Sequence, residues 1–147
     1  MLVIADASVL VVALKRRNDE GDELRRWLVE LSKGERLHVV QSLTHLEVTS
    51  ALRRLAKAGK VPDAEAEAAI MRFTELPALR HEVTQPMARR IWELRHNLTV
   101  YDASYVALTE RLEAEELRPA MLATADARLA NCPGLSVQIE LFALRDR

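Results

Sequence analysis

The chain has 147 residues, 49% hydrophobic and 29% charged, with a formal net charge of −1. That is enough for one domain with its own apolar core, and too balanced for a protein that binds nucleic acid by bulk positive charge. Four glycines and five prolines exclude a linker-rich or disordered chain, and the single cysteine, Cys132, excludes an internal disulfide and fits a reducing compartment.

The first apolar run, LVIADASVLVVAL, lacks a basic leader and is broken by Asp6 and Ser8. No run reaches the roughly 18 to 20 apolar residues of a membrane span. The expectation is a soluble, cytoplasmic protein without membrane association, folded as one domain over residues 1–147.

Leu2–Ala5 reads as a short buried strand ending at Asp6, with a helix following through Leu14. Asp19–Ser32 is an amphipathic helix, with Leu24, Trp27, Leu28 and Leu31 at helical spacing. Arg36–Gln41 is a second strand. Leu43–Ala58 is a helix with Val48, Ala51, Leu52 and Leu55 on one face and Gly59 just past its end. Pro62 opens another helix to about Leu76. His81–Thr84 is a candidate third strand and Pro86–His96 a helix. Thr99–Glu115 is apolar on several sides around Tyr105–Leu108 and reads as a buried helix. Ala120–Thr124 is a fourth strand, a short helix follows Asp126, and Val137–Ile139 is a candidate fifth strand. Strands alternating with helices, without hairpin turns, predict an α/β fold with a mainly parallel sheet.

In open parallel sheets, sites form outside the carboxyl ends of the strands. Asp6 follows the first strand and Asp126 the fourth, so both are expected at one crevice. Glu47 and Asp102 lie near the starts of two helices that can pack at that edge. Each acid also has an ordinary structural role open to it. Asp6 and Asp126 precede helices and are good N-caps, Thr99 and Asp102 have capping-box spacing, and Glu47 can be a surface residue. Joint placement argues for more. Carboxylates gathered at one edge repel unless a cation neutralises them, and an all-oxygen set favours Mg²⁺ or Mn²⁺ over zinc.

Other chemistries find no support. There is no phosphate-cradling glycine loop and no G-x-S-x-G elbow. Cys132 sits beside Pro133-Gly134 in a turn, without a nucleophile motif. The histidines lack H-x-x-x-H spacing; His38 is expected in or beside a strand, and His45, His81 and His96 on helix surfaces. The clusters Lys15-Arg16-Arg17, Arg53-Arg54 with Lys57, and Arg89-Arg90 read first as solvated helix faces.

Four segments then resemble the PIN-domain nucleases, specifically the VapC-type toxins of type II toxin–antitoxin pairs. LVIADASVL (residues 2–10) carries Asp6 and Ser8, and HLEVTSALRRL (45–55) carries Glu47. LTVYDASYVALTE (98–110) carries Asp102, and MLATADARLA (121–130) carries Thr124 and Asp126. Order, spacing and length match from end to end. One position departs: the family often has asparagine three residues after the helix glutamate, and this chain has Ser50.

The resemblance implies a three-layer α/β/α sandwich with a central, mainly parallel sheet. It implies endonucleolytic cleavage of RNA with Mg²⁺ or Mn²⁺ at Asp6, Glu47, Asp102 and Asp126. Asp6 and Asp102 would be the principal metal ligands, with Ser8 and Thr124 in support, and Arg53, Arg54 and Lys15 would contact the RNA backbone. The implied partners are a small antitoxin of VapB type and a second copy in a homodimer. The competing readings are a catalytically silent interaction module on the same fold and a metal-dependent DNA nuclease with the same site. A phosphatase of the haloacid-dehalogenase type would want an aspartate where Ser8 stands. A receiver domain would want an acidic pair before the phosphoacceptor strand, and Asp6 is too near the start.

Overall fold

The computed structural model describes residues 1–15 and 19–142. Arg16 and Arg17 of the first basic cluster lie outside them. Five strands, β1 (Leu2–Ala5), β2 (Leu37–Val40), β3 (Leu79–His81), β4 (Ala120–Thr124) and β5 (Gln138–Leu141), form one sheet in the order β3-β2-β1-β4-β5. Every pairing is parallel. The helices are α1 (Ala7–Lys15), α2 (Asp19–Lys33), α3 (Leu43–Lys57), α4 (Asp63–Glu75), α5 (Gln85–Glu93), α6 (Val100–Glu116) and α7 (Ala127–Ala130).

The strand side chains alternate between two apolar clusters, as the two-residue repeat of a strand requires. Val3, Ala5, Leu37, Val39, Met121 and Ala123 face a core built with α1 to α4, including Leu10, Leu28, Leu52 and Phe73. Leu2, Ile4, Val40, Ala120 and Leu122 face the other core, built with Met87 of α5, Tyr105, Val106 and Leu108 of α6, and Leu129 of α7. These are the two outer layers of an α/β/α sandwich. With both faces covered, β1, β2 and β4 are buried at every position, which explains their largely apolar sequences, with His38 and Thr124 as the buried polar exceptions.

The edge strands differ from expectation. β3 occupies Leu79–His81, not His81–Thr84. Its register is set by β2, with His38 opposite Leu79 and Val40 opposite His81. Thr84 is used instead as the N-cap of α5, its hydroxyl accepting from Met87 N at 3.4 Å. A half-exposed three-residue edge strand carries little periodic signal, so tertiary pairing decides its place. His81 accordingly lies in the sheet and not on a helix. Its Nε2 meets Nδ1 of buried His38 at 2.8 Å, and burial beside this second ring pushes the His38 pKa down to about 4.

α3 ends as its glycine requires. Gly59 takes φ 72°, its N–H reaches the Ala56 carbonyl at 3.0 Å, and Lys60 N–H reaches Leu55 at 2.9 Å. This Schellman arrangement satisfies the last carbonyls of α3 and turns Lys60 back toward the carboxyl edge of the sheet.

Candidate metal centre

The strand order reverses between β1 and β4: the chain leaves β1 toward β2 and later returns to the other side of β1. At such a switch point the connections leave in opposite directions and open a crevice beyond the strand ends. Asp6 and Thr124–Asp126 stand at this point. β1 and β4 run in register to Ala5 opposite Ala123, so Asp6 comes beside Thr124.

Asp6 is 3% exposed, and its carboxylate is held from three directions. Oδ1 accepts from Ser8 Oγ at 2.6 Å and from Val9 N at 3.1 Å, the latter capping α1. Oδ2 accepts from Thr124 Oγ1 at 2.5 Å. Ser8 Oγ in turn accepts from Ala125 N at 2.8 Å, and Thr124 Oγ1 from Asp126 N at 3.0 Å. The two hydroxyls therefore lock the end of β1 to the end of β4. A carboxylate has about four acceptor positions, so Asp6 keeps one for a ligand.

Asp126 caps α7, its Oδ1 accepting from Arg128 N at 2.9 Å. Thr99 caps α6, accepting from Asp102 N at 3.1 Å, and this places Asp102 in the first turn. The capping roles are thus real, and each leaves carboxylate oxygen unused. Glu47, in the second turn of α3, accepts from the hydroxyl of Tyr105 at 2.7 Å.

All four acids line one open cavity of about 740 Å³, with Arg54, Lys60 and Arg128 also at its wall. Burial raises the Asp6 carboxyl above its usual range, with the charge of Asp102 adding to it against the hydrogen bonds of Ser8, Thr124 and Val9. Burial also raises Glu47, as do the charges of Asp102 and Asp6, against the Tyr105 hydrogen bond and Arg54. Asp102 is raised by burial and then by the charge of Asp126, against Thr99 and Arg128. The acids sense one another, and the nearby cations do not cancel the crowding. A group left electrically uncompensated in this way suits a cation.

The donor set fits a hard divalent ion by its chemistry: four carboxylates, with no histidine or cysteine at the cavity wall. Among the described residues, no three His, Cys, Asp or Glu side chains stand close enough to grip an ion by themselves. An ion that kept several of its own waters, as Mg²⁺ characteristically does, would need no closer grip.

The basic residues divide. Arg54 borders the acid cavity, and its Nη1 donates to Ser50 Oγ at 3.0 Å. The serine at the family's frequent asparagine position thus steadies a cavity-wall arginine. Arg53 lines a neighbouring groove with Lys57 and Arg54, which faces both, and Lys15, at the end of α1, is not part of the acid cavity wall. Lys60 and Tyr105 escaped the sequence reading. Lys60 had only its place after Gly59 to mark it, and Tyr105 was read as one more apolar residue of a buried helix. The usable signal was its hydroxyl, since a buried tyrosine must find a partner.

The PIN domain family model matches residues 3–135. A VapC ribonuclease of Mycobacterium bovis is 38% identical over 137 residues, covering 90% of this chain and 95% of that protein. Ribonuclease VapC1 of Mycobacterium tuberculosis is 34% identical, covering 94% and 96%. Among solved structures, VapBC2 from Rickettsia felis, bound to a DNA fragment from its promoter, superposes with a TM-score of 0.64. That match has 16% identity and covers 97% of this chain and 99% of the other.

Proposed function

The chain belongs to the PIN-domain family, among the VapC ribonucleases, and on that premise we propose that it is the endoribonuclease toxin of a toxin–antitoxin pair. One observation carries the reading: four carboxylates, three of them held above their usual pKa, line a single cavity at the switch point of a parallel sheet. The reading takes residues 1–147 as one PIN domain. Asp6 and Asp102 would be the principal residues to hold Mg²⁺ or Mn²⁺, with Glu47 and Asp126 in support. When bound, such an ion supplies charge for the scissile phosphate and makes water a better nucleophile.

The chain's own groups do the rest. Ser8 and Thr124 fix the Asp6 carboxylate so that little reorganisation is needed when charge develops. Glu47, tied by one oxygen to Tyr105 and with the other free of protein hydrogen bonds, orients the attacking water and takes its proton. Arg54, Lys60 and Arg128 hold neighbouring phosphates at the cavity wall, which positions RNA without reading its sequence. Arg53 and Lys15 extend that contact along the outer surface. The partners in this reading are RNA, a small antitoxin of VapB type and a second copy of the chain. No helix among the described residues is long and apolar enough to cross a membrane.

Purified protein is expected to cleave single-stranded RNA with Mg²⁺ or Mn²⁺ and to stop when a chelator removes them. Cleavage at full rate in a protein shown by elemental analysis to hold no metal overturns the mechanism. In cells, expression alone is expected to halt growth, and coexpression of the cognate small protein to restore it. A protein that leaves both RNA and growth untouched moves the interaction-module reading ahead, and one that cuts only DNA moves the DNA-nuclease reading ahead.

A further inference from the structure

Glu47 is held by a different device from the aspartates. Its Oε1 accepts from Tyr105 Oη at 2.7 Å, Tyr105 Oη meets Thr44 Oγ1 at 3.1 Å, and Thr44 Oγ1 accepts from Val40 N at 3.0 Å. The direction of this chain is forced by its ends. An amide N–H can only donate, and an ionised carboxylate can only accept. Thr44 therefore accepts from Val40 and donates to Tyr105, and Tyr105 donates to Glu47. Each bond polarises the next in the same sense.

The setting makes the relay rigid. Thr44 is 0% and Tyr105 1% exposed, so both side chains are held among protein groups, with Tyr105 reaching the cavity wall. Val40 is the last residue of β2, Thr44 lies in the first turn of α3, and Tyr105 is in α6, so the relay joins three elements before reaching the cavity. A phenylalanine would fill the same apolar space beneath the sheet. The hydroxyl is therefore more than packing requires, and its donor bond ends on an acid of the cavity.

We propose that Thr44 and Tyr105 are positioning residues that orient Glu47 for cation binding in the acid cavity. This rests on the reading of that cavity as a metal centre. The relay selects one Glu47 rotamer by tying Oε1 to α6 and leaving Oε2 for the ligand. It also couples the carboxylate to the β2 backbone, so that Glu47 does not pay rotamer entropy anew at each binding event.

The test measures Mn²⁺ binding to the full chain by calorimetry, without RNA, alongside kcat and KM for RNA. Tyr105→Phe is expected to weaken Mn²⁺ by about tenfold, the low end of what losing a group that orients a ligand costs. Its kcat should fall by a similar factor while KM for RNA stays. Thr44→Val, which leaves the last bond in place, should give a smaller change in the same direction. Thr109→Val removes another buried hydroxyl of α6, bonded only to the Tyr105 carbonyl at 2.8 Å, and should change neither quantity. Glu47→Gln supplies the reference. Wild-type Mn²⁺ affinity and kcat in Tyr105→Phe, with both reduced in Glu47→Gln, overturns the relay and spares the metal centre. Wild-type behaviour in Glu47→Gln overturns the relay, and a wild-type chain that binds no Mn²⁺ overturns the metal centre. If Tyr105→Phe does not fold, Thr44→Val decides alone, and wild-type values there overturn the relay. Equal losses in Thr109→Val and Tyr105→Phe also overturn it, because the effect would then be one of packing.

Discussion

Asp6→Asn, Asp102→Asn and Asp126→Asn are each expected to abolish the rise in melting temperature that Mg²⁺ produces, together with RNA cleavage, while the metal-free fold persists. Asparagine caps helices about as well as aspartate, so the bond from Arg128 N to residue 126 survives. At position 6 the amide oxygen can keep Ser8 Oγ and Val9 N, and Thr124 can turn its proton toward Ser8 Oγ, 3.2 Å away. The α6 cap uses the Thr99 side chain and the backbone N–H of residue 102, so it is unaffected. Removing one charge from a crowded set also relieves repulsion, so the metal-free variants should melt at or above the wild-type temperature.

With metal the order reverses. A wild-type protein at a metal concentration 100 times Kd gains about 2.7 kcal/mol, and variants lacking a ligand lose most of it. Cleavage should fall by more than the roughly 10- to 100-fold typical of losing a group that merely supports a ligand. Thermal melts with and without Mg²⁺, paired with RNA cleavage rates, measure both. If all three variants keep the wild-type shift and rate, the aspartates are caps alone.

Acidification is expected to stabilise the metal-free protein and to weaken metal binding at the same time. Asp6, Glu47 and Asp102 have folded-state pKa values raised above their unfolded values, chiefly by burial. Between the unfolded carboxylate range, about 4, and the raised folded values, the native state binds more protons than the unfolded chain. Their contribution to stability therefore grows as pH falls through the raised values. It is fully present below the unfolded values and is lost as pH rises. Metal requires the ionised forms, so each proton it must displace costs about tenfold in apparent affinity per pH unit. Melting curves recorded with and without Mg²⁺ should draw together as pH falls through the raised carboxyl values toward the unfolded range. Curves that stay parallel over that range contradict the shared acidic site.

The central strands and most helices were legible because they bury whole faces. LVIA is apolar throughout and AMLAT is apolar up to its terminal Thr124, and the helical spacing of Leu24, Leu28 and Leu31 admits one buried stripe. β3 was not legible in the same way, since Leu79, Arg80 and His81 show neither alternation nor an apolar run, and only pairing with β2 fixes them. The four acids could be placed at one edge because two of them end strands. The choice between caps and ligands could not be made from spacing, and the geometry shows why: the cap occupies one part of a carboxylate and leaves the rest. Tyr105 and Lys60 come to the cavity through tertiary packing and a helix-terminating turn, which no local pattern announces.

β1 sits at the centre of the sheet, and Asp6 meets Thr124 across 118 residues of chain. β1 thus gains its second neighbour only once β4, 118 residues further along the chain, has been made. Contacts so distant in sequence form late, after the loop between them has been closed. A nascent chain that has exposed Asp6, Glu47 and even Asp102 still has an open flank on β1 and no assembled cavity. Products of premature termination before Ala120 lack the central pairing, and their unpaired edges make them targets for aggregation and proteolysis, not cutters of RNA. The acid cavity therefore exists only where both flanks of β1 are paired, and a chain lacking β4 has none.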